Sequence, residues 1–283
     1  GDKKDDVIWR HATTGADAIW LGANSATTRT MNSVTDVNWE IAGIGDFGGD
    51  GVADVFWRNR TTGANVIWKG ANAAAQQQPG ALADLDWKIV GVGDVDGDKK
   101  ADVVWRNGKT GANVLWRYGT YAGRLALTGV TNLAWKIVGV ADFNGDGKDD
   151  ILWRNTTTGA NTYWPAGNAA AAVAVTGVSK TSWAVVAAAD FNGDGKDDIL
   201  WRDGGTGSNV IWRSANSADQ QAVAAVRDLA YKVVGSGDYN GDAKADVLWR
   251  HDTSGSNVIW RSANSATQQA VTRVSDVRWK VMH

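Results

Sequence analysis

One acidic segment recurs at a fixed interval along the chain. DFGGDGVAD at Asp46 returns as DVDGDKKAD at Asp94, DFNGDGKDD at Asp142 and Asp190, and DYNGDAKAD at Asp238, each 48 residues after the last. One step further back lands on GDKKDD at the first residues, the remainder of a sixth copy. A Trp-Arg pair follows every copy, at Trp9-Arg10, Trp57-Arg58, Trp105-Arg106, Trp153-Arg154, Trp201-Arg202 and Trp249-Arg250. A second Trp comes next, at Trp20, Trp68, Trp116, Trp164, Trp212 and Trp260. A third aromatic precedes each loop, at Trp39, Trp87, Trp135, Trp183, Tyr231 and Trp279, and these three families hold all 17 Trp residues. Such a chain must build one supersecondary unit repeatedly and bury each unit against its neighbours.

The unit reads as strands. WKIVGVGD (87–94) and DILWRN (150–155) are short, β-branched and aromatic, and Gly or Asp flanks them. ANVIW (64–68) follows a TTG turn and is expected to pair back as a hairpin. A weaker fourth strand is expected in QQAVTRV (268–274), and Ala169–Ala174 is the one stretch compatible with a helical turn. Ile151 and Trp153 face one way and Leu152 the other, so both faces are apolar. A sheet sandwiched between two others needs that pattern, and a sheet with a wet face does not.

The expected architecture is therefore all-β, a six-bladed β-propeller in one domain over residues 1–283. The chain starts inside the acidic loop and ends on the strand that precedes it. Trp279–His283 is thus expected to complete the blade that Gly1 begins, which closes the ring without a free edge. A β-solenoid competes, but 48 residues is long for a solenoid coil and the split terminal unit suits a ring better.

Composition narrows the chemistry. There are 30 Asp and one Glu, Glu40, a bias towards turns and metal loops and away from helices. The formal net charge of −2 leaves no footprint for nucleic acid or an anionic membrane. No Cys is present, so disulfides play no part. The longest apolar run, Ala169–Val175, is far too short to span a bilayer, and a monomer is expected. With neither an initiator Met nor a signal-peptide pattern at Gly1, a mature or excised form is expected.

In Asp142–Asp150, oxygen-bearing side chains stand at positions 1, 3, 5 and 9, and the carbonyl of position 7 turns inward. Ca²⁺ takes six to eight oxygens at roughly 2.3–2.6 Å in forgiving geometry, whereas Mg²⁺ demands a stricter octahedron. The expected ligands are Asp94, Asp96, Asp98 and Asp102; Asp142, Asn144, Asp146 and Asp150; Asp190, Asn192, Asp194 and Asp198; and Asp238, Asn240, Asp242 and Asp246. The first loop offers Asp46, Asp50 and Asp54 but has Gly48 at position 3, and the terminal copy lacks positions 1 to 3. About four or five Ca²⁺ per chain are expected. An EF-hand is excluded, because position 12 is Trp153 and a strand follows.

These residues resemble the FG-GAP or VCBS-type repeat, the unit of integrin α-subunit propellers and of many secreted bacterial proteins. DFNGDGKDDILWR (142–154 and 190–202) carries the likeness, and four degraded copies extend it over the chain. The resemblance implies a calcium-stabilised propeller at an extracellular or cell-surface location. The chain is also similar to fungal integrin-like propeller lectins, which bind N-acetylglucosamine-type sugars between blades, although no motif here matches their sugar residues. Family members usually have seven blades, so six copies is a departure.

No convergent catalytic constellation stands out, and the chain is expected not to be an enzyme. His11 and His251 occupy a turn position held elsewhere by Asn or Asp, and Glu40 a position that is Lys in four other copies. The six repeated Arg residues are expected to pair with Asp carboxylates. The leading reading is a multivalent carbohydrate-binding module, with Trp20, Trp68, Trp116, Trp164, Trp212 and Trp260 as stacking platforms beside Asp17 or an Asn. Packing between blades is the competing role for any one Trp family. A protein-binding adhesion module, using the loops 70–80 and 119–129 on a cell-surface partner, is the alternative. A recently amplified scaffold without a ligand is the third, since 210–222 and 258–270 differ only at Asp219 and Thr267.

Overall fold

The computed structural model describes residues 2–282. It contains 24 strands in six four-stranded antiparallel sheets. Strands β1 (Val7–His11), β2 (Asp17–Trp20) and β3 (Thr28–Thr30) form blade I together with the last strand, β24 (Trp279–Met282). Blade II is β4 (Trp39–Gly45), β5 (Asp54–Asn59), β6 (Asn65–Trp68) and β7 (Gln76–Gln77). Blade III is β8 (Trp87–Gly93), β9 (Asp102–Asn107), β10 (Asn113–Trp116) and β11 (Arg124–Leu127). Blade IV is β12 (Trp135–Ala141), β13 (Asp150–Asn155), β14 (Asn161–Trp164) and β15 (Val173–Val175). Blade V is β16 (Trp183–Ala189), β17 (Asp198–Asp203), β18 (Asn209–Trp212) and β19 (Gln220–Val223). Blade VI is β20 (Tyr231–Gly237), β21 (Asp246–His251), β22 (Asn257–Trp260) and β23 (Gln268–Val271). This is the all-β, six-bladed propeller that the repeat implies.

Residues up to Thr35 and from Ser182 onward form one compact unit, with blades V, VI and I, and Asp36–Thr181 form another, with blades II to IV. Among the described residues there is no α-helix, and no helix is long and apolar enough to cross a membrane. Ala169–Ala171 is a single 3-10 turn.

The closing blade forms as expected. β24 pairs with β1 in the register Ile8↔Met282, Trp9↔Val281, Arg10↔Lys280 and His11↔Trp279. Gly1 and His283, the outer ends of that expectation, lie outside the described residues.

Each blade is built around a Trp–Trp pair. Trp105 and Trp116 lie 4.8 Å apart between ring centroids, and Trp153 and Trp164 4.7 Å. The register explains this, since Trp105 opposes Val114 and Trp116 opposes Val103, which brings the two rings together across the diagonal.

The repeated Arg residues correct an expectation. Arg106 donates from Nη1 to the Gly111 carbonyl and Asn113 Oδ1, and from Nη2 to the Val130 carbonyl. Arg58, Arg154, Arg202 and Arg250 likewise meet an Asn. In blade I the counterpart is a carboxylate, and Arg10 pairs with Asp17 at 2.9 Å. Each Arg also stacks on the next blade's Trp where that contact falls within a unit: Arg58 over Trp105, Arg106 over Trp153, Arg202 over Trp249 and Arg250 over Trp9. Carbonyls gathered by a tight turn satisfy a buried guanidinium without an ion pair. That turn needs glycine: at Gly111, φ is +76° and a Cβ would fall 2.1 Å from the Val130 oxygen.

Candidate metal loops and inter-blade clefts

The acidic loops lie between the first and second strands of their blades. In the Asp142 loop, position 1 gathers backbone amides: Asp142 Oδ1 accepts from Gly145 and Asp146, and Oδ2 from Gly147. The same three bonds recur at Asp46, Asp94, Asp190 and Asp238. Position 9 is buried and clamps two segments. Asp102 accepts from Val95 N at the loop start and from Tyr118 N in the turn after β10. Asp54, Asp150 and Asp198 repeat this clamp. Asp246 accepts from Ser262 N and from Asn240 Nδ2.

Burial pushes the Asp102 carboxyl up to about 7, and the nearby Asp96 charge adds to the shift. Asp150, Asp198 and Asp246 rise to about 6, again by burial first and then by the loop carboxylates around them. Asp54 shifts in the same direction. Carboxylate oxygens of Asp94, Asp96 and Asp102 lie within 4.8 Å of one another. Three converging hard donors, one of them buried, fit a divalent cation that supplies the missing charge. In the Asp46 loop, a Cβ at Gly48 would stand 3.7 Å from Asp46 Oδ1, so the place of the missing third donor is open.

Successive loops are tied together, a feature that the isolated motif does not display. The position 8 amide of one loop donates to the position 1 carbonyl of the loop before: Ala101 to Asp46, Asp149 to Asp94, Ala245 to Asp190 and Asp5 to Asp238. Lysine stems add to the tie. Lys148 runs across Gly97, where φ is +82° and a Cβ would meet Lys148 Cγ at 2.9 Å, and Lys244 covers Gly193 in the same way. The glycine at position 4 thus serves both a left-handed backbone and the neighbouring blade.

The stacking platforms expected from the sequence are not on the surface. Trp68, Trp116, Trp164, Trp212 and Trp260 are buried, with Trp116 only 1% exposed, and Trp20 is half-buried against Trp9. Their rings complete the core pairs, and the five buried ones present no face to a sugar. The third family, Trp39, Trp87, Trp135, Trp183, Tyr231 and Trp279, is partly exposed in every blade.

Two clefts open instead within the unit of blades V, VI and I. One, about 440 Å³, is lined by Arg213 and Gln221 of blade V and by Lys244 and Asn264 of blade VI. The other, about 660 Å³, is lined by Arg261 and Gln269 of blade VI and by Lys4 and Asn24 of blade I. The two sets are repeat equivalents. The near-identity of 210–222 and 258–270 was the available signal, though it reads first as a mark of duplication.

Residues 94–153 and 142–201 match the FG-GAP-like repeat family. The remaining acidic loops continue the same unit at its 48-residue spacing. No curated protein matches the sequence significantly. Among solved structures, the chain resembles an Agrocybe aegerita lectin that recognises non-reducing terminal N-acetylglucosamine, at 14% identity and a TM-score of 0.59, over 97% of this chain and 78% of that one. It also resembles a chain of the nidogen/laminin complex, at 10% identity and a TM-score of 0.61, over 98% and 95%. A third likeness is to virginiamycin B lyase from Staphylococcus aureus, at 10% identity and a TM-score of 0.56, over 97% and 83%.

At these identities the likeness is one of fold. It corrects the expectation that the chain is not an enzyme, because a lyase stands among the proteins of this fold. Chemistry resides in sites grafted onto a fold, so regular repeats do not exclude it.

Proposed function

We propose that this protein is an extracellular or cell-surface calcium-binding recognition module whose ligand is carbohydrate. The observation that carries the calcium reading is the convergence of Asp94, Asp96 and Asp102 around a buried carboxyl raised to about 7. Ca²⁺ would supply positive charge there and let that group ionise. The loops at Asp94, Asp142, Asp190 and Asp238 have full donor sets, and the Asp46 loop, with Gly48, binds most weakly. The terminal loop keeps only Asp2, Asp5 and Asp6. Recognition is supported by the polar clefts and by the likeness to a propeller lectin.

Calorimetric titration of the chelator-treated protein is expected to show about four or five Ca²⁺ sites and weaker Mg²⁺ binding. A glycan array read with and without Ca²⁺ then tests the ligand. No Ca²⁺ uptake removes the metal reading, and a silent array removes the carbohydrate one.

A protein ligand is the second reading. Tyr121 and Leu125, at 42% and 53% exposure, stand in the 119–129 segment, and the likeness to the nidogen chain supports it. A silent array combined with retained Ca²⁺ binding favours this reading.

A further inference from the structure

The polar side chains that the two clefts have in common present mainly donors. Arg213 donates from Nη2 to Gln221 Oε1 at 3.2 Å, and Arg261 to Gln269 Oε1 at 2.9 Å. Asn264 Oδ1 accepts from the Ala266 amide, and Asn24 Oδ1 from the Ala26 amide. The acceptors of both amide side chains are therefore occupied within the protein, and their NH₂ groups remain. Arg213 Nε is buried and has no hydrogen-bond partner. Lys244 and Lys4 add a basic residue to the lining of each cleft.

Asp2 and Asp242 also line the larger cleft. Asp242 accepts on Oδ1 from the Lys244 amide and on Oδ2 from Asn240 Nδ2, and Asp2 accepts on Oδ1 from the Lys4 amide. Asp242 is moreover one of the carboxylates assigned to Ca²⁺. What fits such a wall is an acceptor-rich, anionic group, and a planar carboxylate matches the guanidinium fork best.

The two clefts differ at one informative place. Asp219 lies 3.5 Å from Arg213 Nη1 and competes for it. In the next repeat Thr267 takes that position, and its hydroxyl donates to the Arg261 carbonyl. Arg261 is exposed, and no carboxylate stands at the position equivalent to Asp219.

We propose that these clefts are two binding sites for an acidic saccharide, its uronate carboxylate held by Arg213 or Arg261, and that the Arg261 cleft binds more tightly. The proposal rests on the carbohydrate reading and gives it a place and a ligand class.

The test uses the full chain with Ca²⁺ present, a hyaluronan tetrasaccharide as probe, and the same tetrasaccharide with its carboxylates reduced to alcohols as control. Calorimetry is expected to resolve two sites of unequal affinity, both weakened by salt, with the reduced probe binding at least about tenfold more weakly. Thr267→Asp should bring the two affinities together. The double variant Arg213→Ala with Arg261→Ala should lose the acidic probe while its melting temperature stays close to the parent's.

Equal binding of the two probes overturns the charge assignment and leaves carbohydrate recognition standing. Binding of the acidic probe that survives the double variant overturns the clefts as its site. Binding of neither probe, with Ca²⁺ uptake intact and the glycan array silent, overturns both the proposal and the reading beneath it.

Discussion

Asp5 and Asp238 hold each other through a reciprocal pair of hydrogen bonds. The Asp5 amide donates to the Asp238 carbonyl at 2.8 Å, and the Asp238 amide returns a 2.7 Å bond to the Asp5 carboxylate. The start of blade I is thereby fastened to the acidic loop of blade VI. Asp149 and Asp94 repeat the arrangement between blades IV and III.

Asp5→Ala is expected to lower stability by about 1 kcal/mol, the net worth of one such hydrogen bond, and Asp5→Asn by less because an acceptor remains. Urea denaturation measures both. Equal loss in the two variants would show that the carboxylate charge, and not its acceptor role, holds the contact.

Removing residues 279–283 takes away β24, with the half-buried Trp279 and Val281 that pack on Val7 and Trp9. A loss on the order of 3–5 kcal/mol is expected from that apolar burial. An unchanged melting temperature would show that blade I does not need its C-terminal strand.

Asp17 stands where the other blades have Asn65, Asn113, Asn161, Asn209 and Asn257. Burial raises its carboxyl above the ordinary value, against the pull of Arg10. A raised carboxyl favours the protonated folded state, so its contribution is complete below the unfolded value near 3.8 and declines as pH rises through the raised one. Asp17→Asn should remove that decline and leave stability at neutral pH within about 1 kcal/mol of the parent. Melting curves from pH 3 to 8 check this, and a variant that weakens most above pH 7 would show that the ion pair is a net stabiliser.

Trp116→Ala is expected to cost about 3–5 kcal/mol, because the ring is buried against Trp105 and Tyr121. A near-neutral effect in equilibrium unfolding would contradict its core position.

The fold was legible because the 48-residue spacing never slips, so one well-read unit gave the strands of all six, and the phase of the ends gave the pairing of β1 with β24. The place of the acidic loops between the first and second strands of a blade was legible for the same reason. What stayed hidden depends on neighbours. Trp116 looks like a platform beside Asn113 until the register places it diagonally to Trp105. Arg106 looks like half of an ion pair until its turn presents carbonyls to it. Arg213 shares a cleft with Lys244 and Asn264 only because the next blade packs alongside, and nothing in its own repeat announces them.

The Trp pairs have an optical consequence. Every blade holds one pair at 4.7–5.1 Å between centroids, with ring planes inclined by 44° to 54°. Indoles this close and this consistently tilted share their excitation, so the six pairs should add into one strong far-ultraviolet circular-dichroism couplet. Opening a single blade would then remove about one sixth of that signal while leaving the others in place. The protein thus carries an intrinsic gauge that tells stepwise melting of blades from all-or-none collapse, with no label attached.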